Sequence, residues 1–196
     1  MDKFELNVAA FGRLSDEEFF RFCQDNEDVR IERDATGKII IMAPTGSLSG
    51  NRNSSLLIEI GSWNRQTKKG YVFDSSAGFT LSNGAVRSPD VSFVLKDKWE
   101  GLTPEEQEGF APVCPDFVLE LRSKNDRLED LKTKMEEYIT NGAAFGWLID
   151  PYERNAYVYD AQDLTASPSA THADFSQPLT SQYFMQDCSV VLNDIL

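Results

Sequence analysis

Asp90 and Glu120 are the two residues of this 196-residue sequence best placed to do chemistry. Glu120 falls in Phe117-Val118-Leu119-Glu120-Leu121, an apolar, β-prone run that reads as a core strand. Residues two apart on a strand share a face, so Asp116, Val118, Glu120 and Arg122 point one way while Phe117, Leu119 and Leu121 point the other. A carboxylate on a core strand beside a cation is half of a phosphodiester-cleaving site. The carboxylate holds Mg²⁺, and the cation positions the nucleophilic water or stabilises charge on the phosphate. Arg122 is either that cation or a structural ion-pair partner that neutralises Glu120 without chemistry.

The other half requires a second carboxylate on an adjacent strand. Ser88-Pro89-Asp90-Val91-Ser92-Phe93 supplies Asp90 on a strand that follows a tight-turn signal at Asn83-Gly84. Pro115-Asp116 spells a similar pair, but Asp116 precedes Glu120 by four residues on the same strand, about 13 Å at 3.3 Å per residue. That separation is too long for two ligands of one ion, so Asp116 reads as the residue that opens the strand.

The elements that must position these groups follow from the pattern. Ser15 and Glu18 form an S-x-x-E capping box ahead of an aromatic run, which predicts a short first helix. Val29–Glu32 and Lys38–Met42 flank a turn-rich centre ending in Gly37 and read as a hairpin. Leu56, Leu57, Ile60 and Trp63 recur at helical spacing between about Asn51 and Lys68, with Lys68, Lys69 and Gly70 as the stop signal. Tyr71–Phe73, Phe79–Leu81 and the whole run Val86–Leu95 read as strands, and a brief helix is expected near Pro104–Glu108. A second long helix is predicted from about Arg127 to Asn141, with Leu128, Leu131, Met135, Tyr138 and Ile139 as its buried stripe. Two more strands, Ala144–Ile149 and Asn155–Tyr159, complete an α/β pattern with a central mixed sheet flanked by helices. Beyond Gln162 the chain loosens into Ser, Thr, Ala and Pro before Val190-Val191-Leu192, a small terminal element expected to tie back to the core.

Length and a 41% hydrophobic content suit one domain over residues 1–196. The first residues have no apolar leader, and the longest apolar runs are too short to span a bilayer, so a soluble cytoplasmic chain is expected. Cys23, Cys114 and Cys188 show no metal or disulfide spacing and read as reduced thiols. His172, the sole histidine, lies in a Ser/Thr/Ala-rich stretch and reads as a surface loop residue, which argues against a histidine-dependent triad. The net charge of −13 opposes tight nonspecific DNA binding. It predicts weak, steeply salt-dependent binding through local cations at Arg122, Lys124, Arg127 and Lys134. No phosphate-cradling GxGxxG or GxxxxGK[ST] loop is present, which disfavours a nucleotide-binding enzyme of another α/β class.

Arg30-Ile31-Glu32-Arg33, Met42-Ala43-Pro44-Thr45-Gly46, Ser88-Pro89-Asp90-Val91, Pro115 to Glu120 with Ser123, Lys134 with Tyr138, and Gly146-Trp147-Leu148-Ile149-Asp150-Pro151 together resemble the Uma-two family. The likeness covers roughly residues 15–160 and leaves 161–196 as a C-terminal extension. That family is assigned to the PD-(D/E)XK nuclease superfamily. The resemblance therefore implies a restriction-endonuclease-like core, dependence on Mg²⁺ or Mn²⁺, and endonucleolytic hydrolysis of nucleic acid, with DNA the expected substrate and a homodimer the common assembly. Arg122 stands where the superfamily has the E-x-K lysine, and an arginine stays protonated and cannot act as a base. The resemblance implies a migrated lysine, Lys134, whose amine can lose its proton if its surroundings depress its pKa. It also implies that Glu32 is an extra acidic residue near the metal. The rival reading is a nuclease-like fold without catalysis that serves as a protein-binding module, supported by the acidic charge and the missing lysine.

Overall fold

The computed structural model describes residues 3–8, 12–162, 170–171, 175–180 and 183–196. His172 lies outside the described residues.

Local signals set most of the elements. After strand β1 (Lys3–Leu6), the Ser15 hydroxyl accepts the Glu18 N–H while the Glu18 carboxylate accepts the Ser15 N–H, opening α1 (Asp16–Gln24) with the expected capping box. Strands β2 (Arg30–Arg33) and β3 (Ile39–Met42) form the hairpin, its turn held by Asp34, whose Oδ1 accepts the N–H groups of Thr36 and Lys38. Helix α2 (Ser47–Thr67) begins four residues ahead of Asn51. It does not stop on glycine: Lys68 itself takes the left-handed conformation at φ 54°. Gly70 instead opens β4 (Gly70–Asp74), where a Cβ would stand 2.1 Å from the Val94 carbonyl oxygen.

Strand β5 (Phe79–Thr80) follows, and then comes the largest departure from the sequence pattern. The run Val86–Leu95 is two strands, β6 (Val86–Arg87) and β7 (Val91–Leu95), in different sheets. Ser88-Pro89-Asp90 is the crossing point, and Pro89, with no N–H to donate, suits a break in the ladder. Helices α3 (Lys96–Glu100) and α4 (Pro104–Glu108) lead to β8 (Phe117–Leu121), α5 (Leu128–Thr140), β9 (Phe145–Asp150), β10 (Asn155–Asp160), β11 (Ala170–Thr171), β12 (Pro178–Thr180) and β13 (Ser189–Val191).

The main sheet has the order β11-β10-β9-β8-β7-β4, with β8 and β9 parallel and the other pairs antiparallel. A second sheet, β1-β3-β2-β6-β5, is antiparallel throughout. The fold is thus mixed α/β. Alternation on β8 decides what covers each face of the main sheet. Phe117, Leu119 and Leu121 pack with Leu56, Ile60 and Trp63 of α2 and with the C-terminal residues Phe175, Met185, Val190 and Leu192. Val118 packs on the other face with Met135 and Tyr138 of α5. Each large apolar side chain buried here contributes roughly 1.5–3 kcal/mol. Gly146 lets α5 come close, since a Cβ there would stand 2.5 Å from Met135 Cε and 3.1 Å from the Val118 carbonyl oxygen. That approach puts the next polar residue of β8 within reach of the helix. No described helix is long and apolar enough to cross a membrane.

Candidate active site

Glu120 is the polar residue in question. It lies on the α5 side of β8 by the same alternation that places Val118 there, and it is 4% exposed. Lys134 and Tyr138, one turn apart on α5, share a helix face. Both reach Glu120 Oε1, the ammonium at 2.8 Å and the phenol hydroxyl donating at 3.1 Å. Lys134 Nζ also donates to Glu32 Oε1 at 2.9 Å, which joins the second sheet to the first. Glu32 in turn accepts the Ser88 N–H at 3.0 Å and Arg87 Nη1 at 3.1 Å, and Arg87 Nε donates to Glu137 Oε2 at 2.6 Å.

Asp90 sits at the crossing point between the sheets. Its Oδ2 accepts the N–H of Leu121 at 2.9 Å, so its carboxylate lies beside the backbone that carries Glu120. Arg30 Nη1 is 3.8 Å from its Oδ1. Asp90, Glu120, Glu32 and Lys134 all line one cavity of about 740 Å³ between the two sheets and α5.

Charge is unevenly met in this cluster. Burial raises the Glu120 carboxyl, and repulsion from Asp90 and Glu32 adds to it, so that despite Lys134 it is pushed up to about 7. Burial likewise raises Asp90 against the pull of Arg30 and the Leu121 N–H. Glu32 is the exception: burial opposes its charge, but Lys134, Arg87 and the Ser88 N–H outweigh it and hold the carboxyl down at about 2. Lys134 is also pulled both ways. Burial works against the ammonium, yet Glu120 and Glu32 prevail and raise it above its ordinary range. These surroundings favour the ammonium form and do not depress the Lys134 pKa. Tyr138 is held neutral, well above the usual phenol range, by burial and by the same carboxylates.

Arg122 is not drawn into this cluster, contrary to its expected place beside Glu120. It stands on the predicted face, just past the end of β8, but the parallel register Leu121↔Ile149 brings Asp150 next to it. Asp150 is fully buried and in need of a cation, and Arg122 Nη1 donates to its Oδ2 at 2.6 Å. Asp116, set aside as a ligand, accepts the Leu95 N–H at 2.8 Å and pairs with Lys98 at 3.2 Å at the start of β8.

Sequence reading missed Arg87, Glu137 and Arg30. Local signals existed for two of the three: Arg30 shares the strand face of Glu32, and Glu137 the helix face of Lys134. The three cysteines are free, with Cys114 and Cys188 buried and both thiols pushed up to about 12 by burial. They stay protonated and unreactive.

Among the described residues, no three His, Cys, Asp or Glu side chains gather as a metal cage. Asp90 and Glu120 offer hard carboxylate oxygens at the wall of an open cavity. This donor set fits a Mg²⁺ or Mn²⁺ ion that keeps water and takes further oxygens from a substrate.

Comparison with known proteins bears on the family and the fold. The sequence matches the model of the Uma2 family, described as "Putative restriction endonuclease", over residues 16–187. This chain belongs to the Uma2 family. A crystal structure of a protein from Anabaena variabilis ATCC 29413, described as a putative nuclease belonging to DUF820, is similar to the Uma2 chain with a TM-score of 0.72. It shares 18% identity across 93% of this chain and 97% of that one, and the two have the same overall fold. A search of curated proteins gives no match.

Proposed function

We propose that this Uma2 chain acts over its whole length as a metal-dependent endonuclease that hydrolyses phosphodiester bonds of DNA or a related nucleic acid, with Asp90 and Glu120 as the ligands of Mg²⁺ or Mn²⁺. One observation carries the reading: a buried ammonium, Lys134, is shared by two carboxylates beside a third in a single cavity. When bound, the ion supplies Lewis acidity toward a phosphoryl oxygen and charge compensation for the two carboxylates. Lys134, fixed in place by Glu32, presents its ammonium to a non-bridging oxygen and stabilises the charge that grows as water adds to phosphorus and the ester oxygen leaves. Arg87 holds Glu32, and through it Lys134, in position. Tyr138 keeps Glu120 oriented as a neutral donor.

Asp90→Asn and Glu120→Gln test this reading. In the wild type, Mg²⁺ at a hundredfold excess over its Kd raises stability by about 2.7 kcal/mol, because it binds the folded site alone. Each substitution is expected to abolish that rise together with plasmid nicking, and the double variant to be no worse than either single one. Thermal melts with and without Mg²⁺, run beside a nicking assay, read both. If both single variants keep the wild-type metal response and activity, the site lies elsewhere. A wild type with neither response favours the non-catalytic protein-binding module.

A further inference from the structure

The cavity that holds these residues is poorly equipped for duplex DNA. Binding a duplex means neutralising a charge every 1.7 Å or so of helix axis, whereas a single strand carries one per 3.4 Å. Among the described residues, eight carboxylates and four cations line the cavity, in a chain whose net charge is already −13. Three of those four cations are engaged within the protein: Lys134 by Glu32 and Glu120, Arg87 by Glu32 and Glu137, and Arg30 by Asp90 and the Ser88 carbonyl. Of the other three cations expected to meet phosphate, Arg122 is paired with buried Asp150, Arg127 lines the cavity, and Lys124 stands three residues before it.

The cavity does offer an apolar wall. Pairing places Ile40 opposite Glu32 and Met42 opposite Arg30, so these four side chains share one face of the second sheet, and all four line the cavity. Leu131 comes from α5, one turn before Lys134, and lines the same space. A volume of about 740 Å³ falls in the range of roughly 300–1,000 Å³ usual for small-ligand pockets. It suits one nucleotide lifted out of a stack and not a continuous double helix.

We infer that the substrate is single-stranded nucleic acid, one nucleotide of which seats its base against Ile40, Met42 and Leu131 and its phosphate at Asp90 and Glu120. The inference rests on the nuclease reading for its phosphate site, and on charge and shape for its strand selectivity. Few phosphates are neutralised, so the steep salt dependence expected from sequence gives way to a shallow one. A second copy to address a second strand is not required.

The test measures anisotropy of a labelled single-stranded oligonucleotide, and of the same sequence as a duplex, with the full chain in Ca²⁺ at 50 and 200 mM salt. The single strand is expected to bind at least tenfold tighter. Its affinity should fall by about sevenfold across the salt range, as two phosphate contacts require, and not by the roughly thousandfold or more of six to ten contacts on a duplex. Met42→Ala should weaken single-strand binding several-fold, and Met42→Phe, which adds a stacking surface, should strengthen it. Duplex binding should respond to neither. Equal or tighter duplex binding, no binding of either strand form, or single-strand affinity that ignores both Met42 variants would overturn the inference. Cleavage of the same oligonucleotides in Mg²⁺ separates the two proposals. Cutting of duplex and single strand at equal rates removes the strand selectivity and leaves the nuclease, whereas selective binding without cutting supports the selectivity and removes the nuclease.

Discussion

Glu32 and Arg33 are consecutive residues of one strand, both buried, and they serve opposite faces of the second sheet. On Arg33's face the guanidinium is closed off: it donates to the carbonyls of Leu14, Ser15 and Gly84, pairs with Asp16, and lies 4.9 Å over the Phe19 ring. Carbonyls do not titrate. On Glu32's face, carboxylates from β2, from β8 and from the crossing point between β6 and β7 crowd around cations, and Glu120 and Asp90 are left above their ordinary range. The first arrangement joins α1 to the sheet. The second leaves negative charge incompletely met at the wall of a cavity. A buried charge therefore marks a candidate site when its partners are themselves strained, and a structural clamp when they are not.

Lys134→Met strikes the strained face hardest. Cleavage is expected to fall at least a hundredfold, the cost of losing one preorganised charge at the phosphate. Stability at pH 8 should drop by about 3 kcal/mol, with the loss easing toward pH 5 as Glu120 takes up a proton. Nicking rates and denaturant melts at the two pH values read both effects. If Lys134→Met cuts normally while Arg122→Met is inactive, the two roles must be exchanged.

Arg33→Met tests the closed face. Three carbonyls and Asp16 lose a buried donor, which should cost roughly 2–3 kcal/mol in chemical denaturation. The Mg²⁺-induced rise in melting temperature should stay as large as in the wild type. A lost metal response would join the two faces into one network and end the contrast between them.

Glu120→Gln sharpens the contrast through pH. In the metal-free wild type the folded carboxyl binds its proton up to about pH 7, whereas the unfolded one releases it near 4.5. Between those values the folded state holds more protons, so this residue's contribution to stability falls as pH rises. The loss is on the order of 2 kcal/mol. Glu32, held near 2, has the opposite sign: its stabilisation is present above about pH 4.5 and is lost as pH falls toward 2. Removing Glu120 should flatten the decline between pH 5 and 7 and leave the acid limb unchanged. A decline of equal size in the variant would assign it to another group.

Arg122→Met should have the smallest effect on cleavage, within about threefold, since its guanidinium serves Asp150. Its cost belongs to stability, about 1–3 kcal/mol for a buried carboxylate left without its donor. A loss of nicking comparable to that of Lys134→Met would return Arg122 to the reaction.

The sequence by itself determined what a few neighbouring residues decide. The Ser15–Glu18 capping box, the hairpin around Gly37, the alternation of β8 and the buried positions Met135 and Tyr138 are visible because capping and side-chain period act over one to four residues. Glu120's face was legible for the same reason, and Asp90 followed from the need for a second carboxylate on a neighbouring strand. Tertiary structure alone decided which charges meet. Arg87 finds Glu137 across 50 residues and Lys134 finds Glu32 across 102, while the parallel register of β8 and β9 diverts Arg122 to Asp150. The division of Val86–Leu95 between two sheets was equally hidden, because both halves have the same β-prone composition and only the partners available on each side of Pro89 separate them. Burial follows from the same assembly. Packing α5 onto the sheet at Gly146 removes water from Glu120, and desolvation, which no local pattern encodes, turns an ordinary glutamate into a carboxyl that titrates near neutral pH.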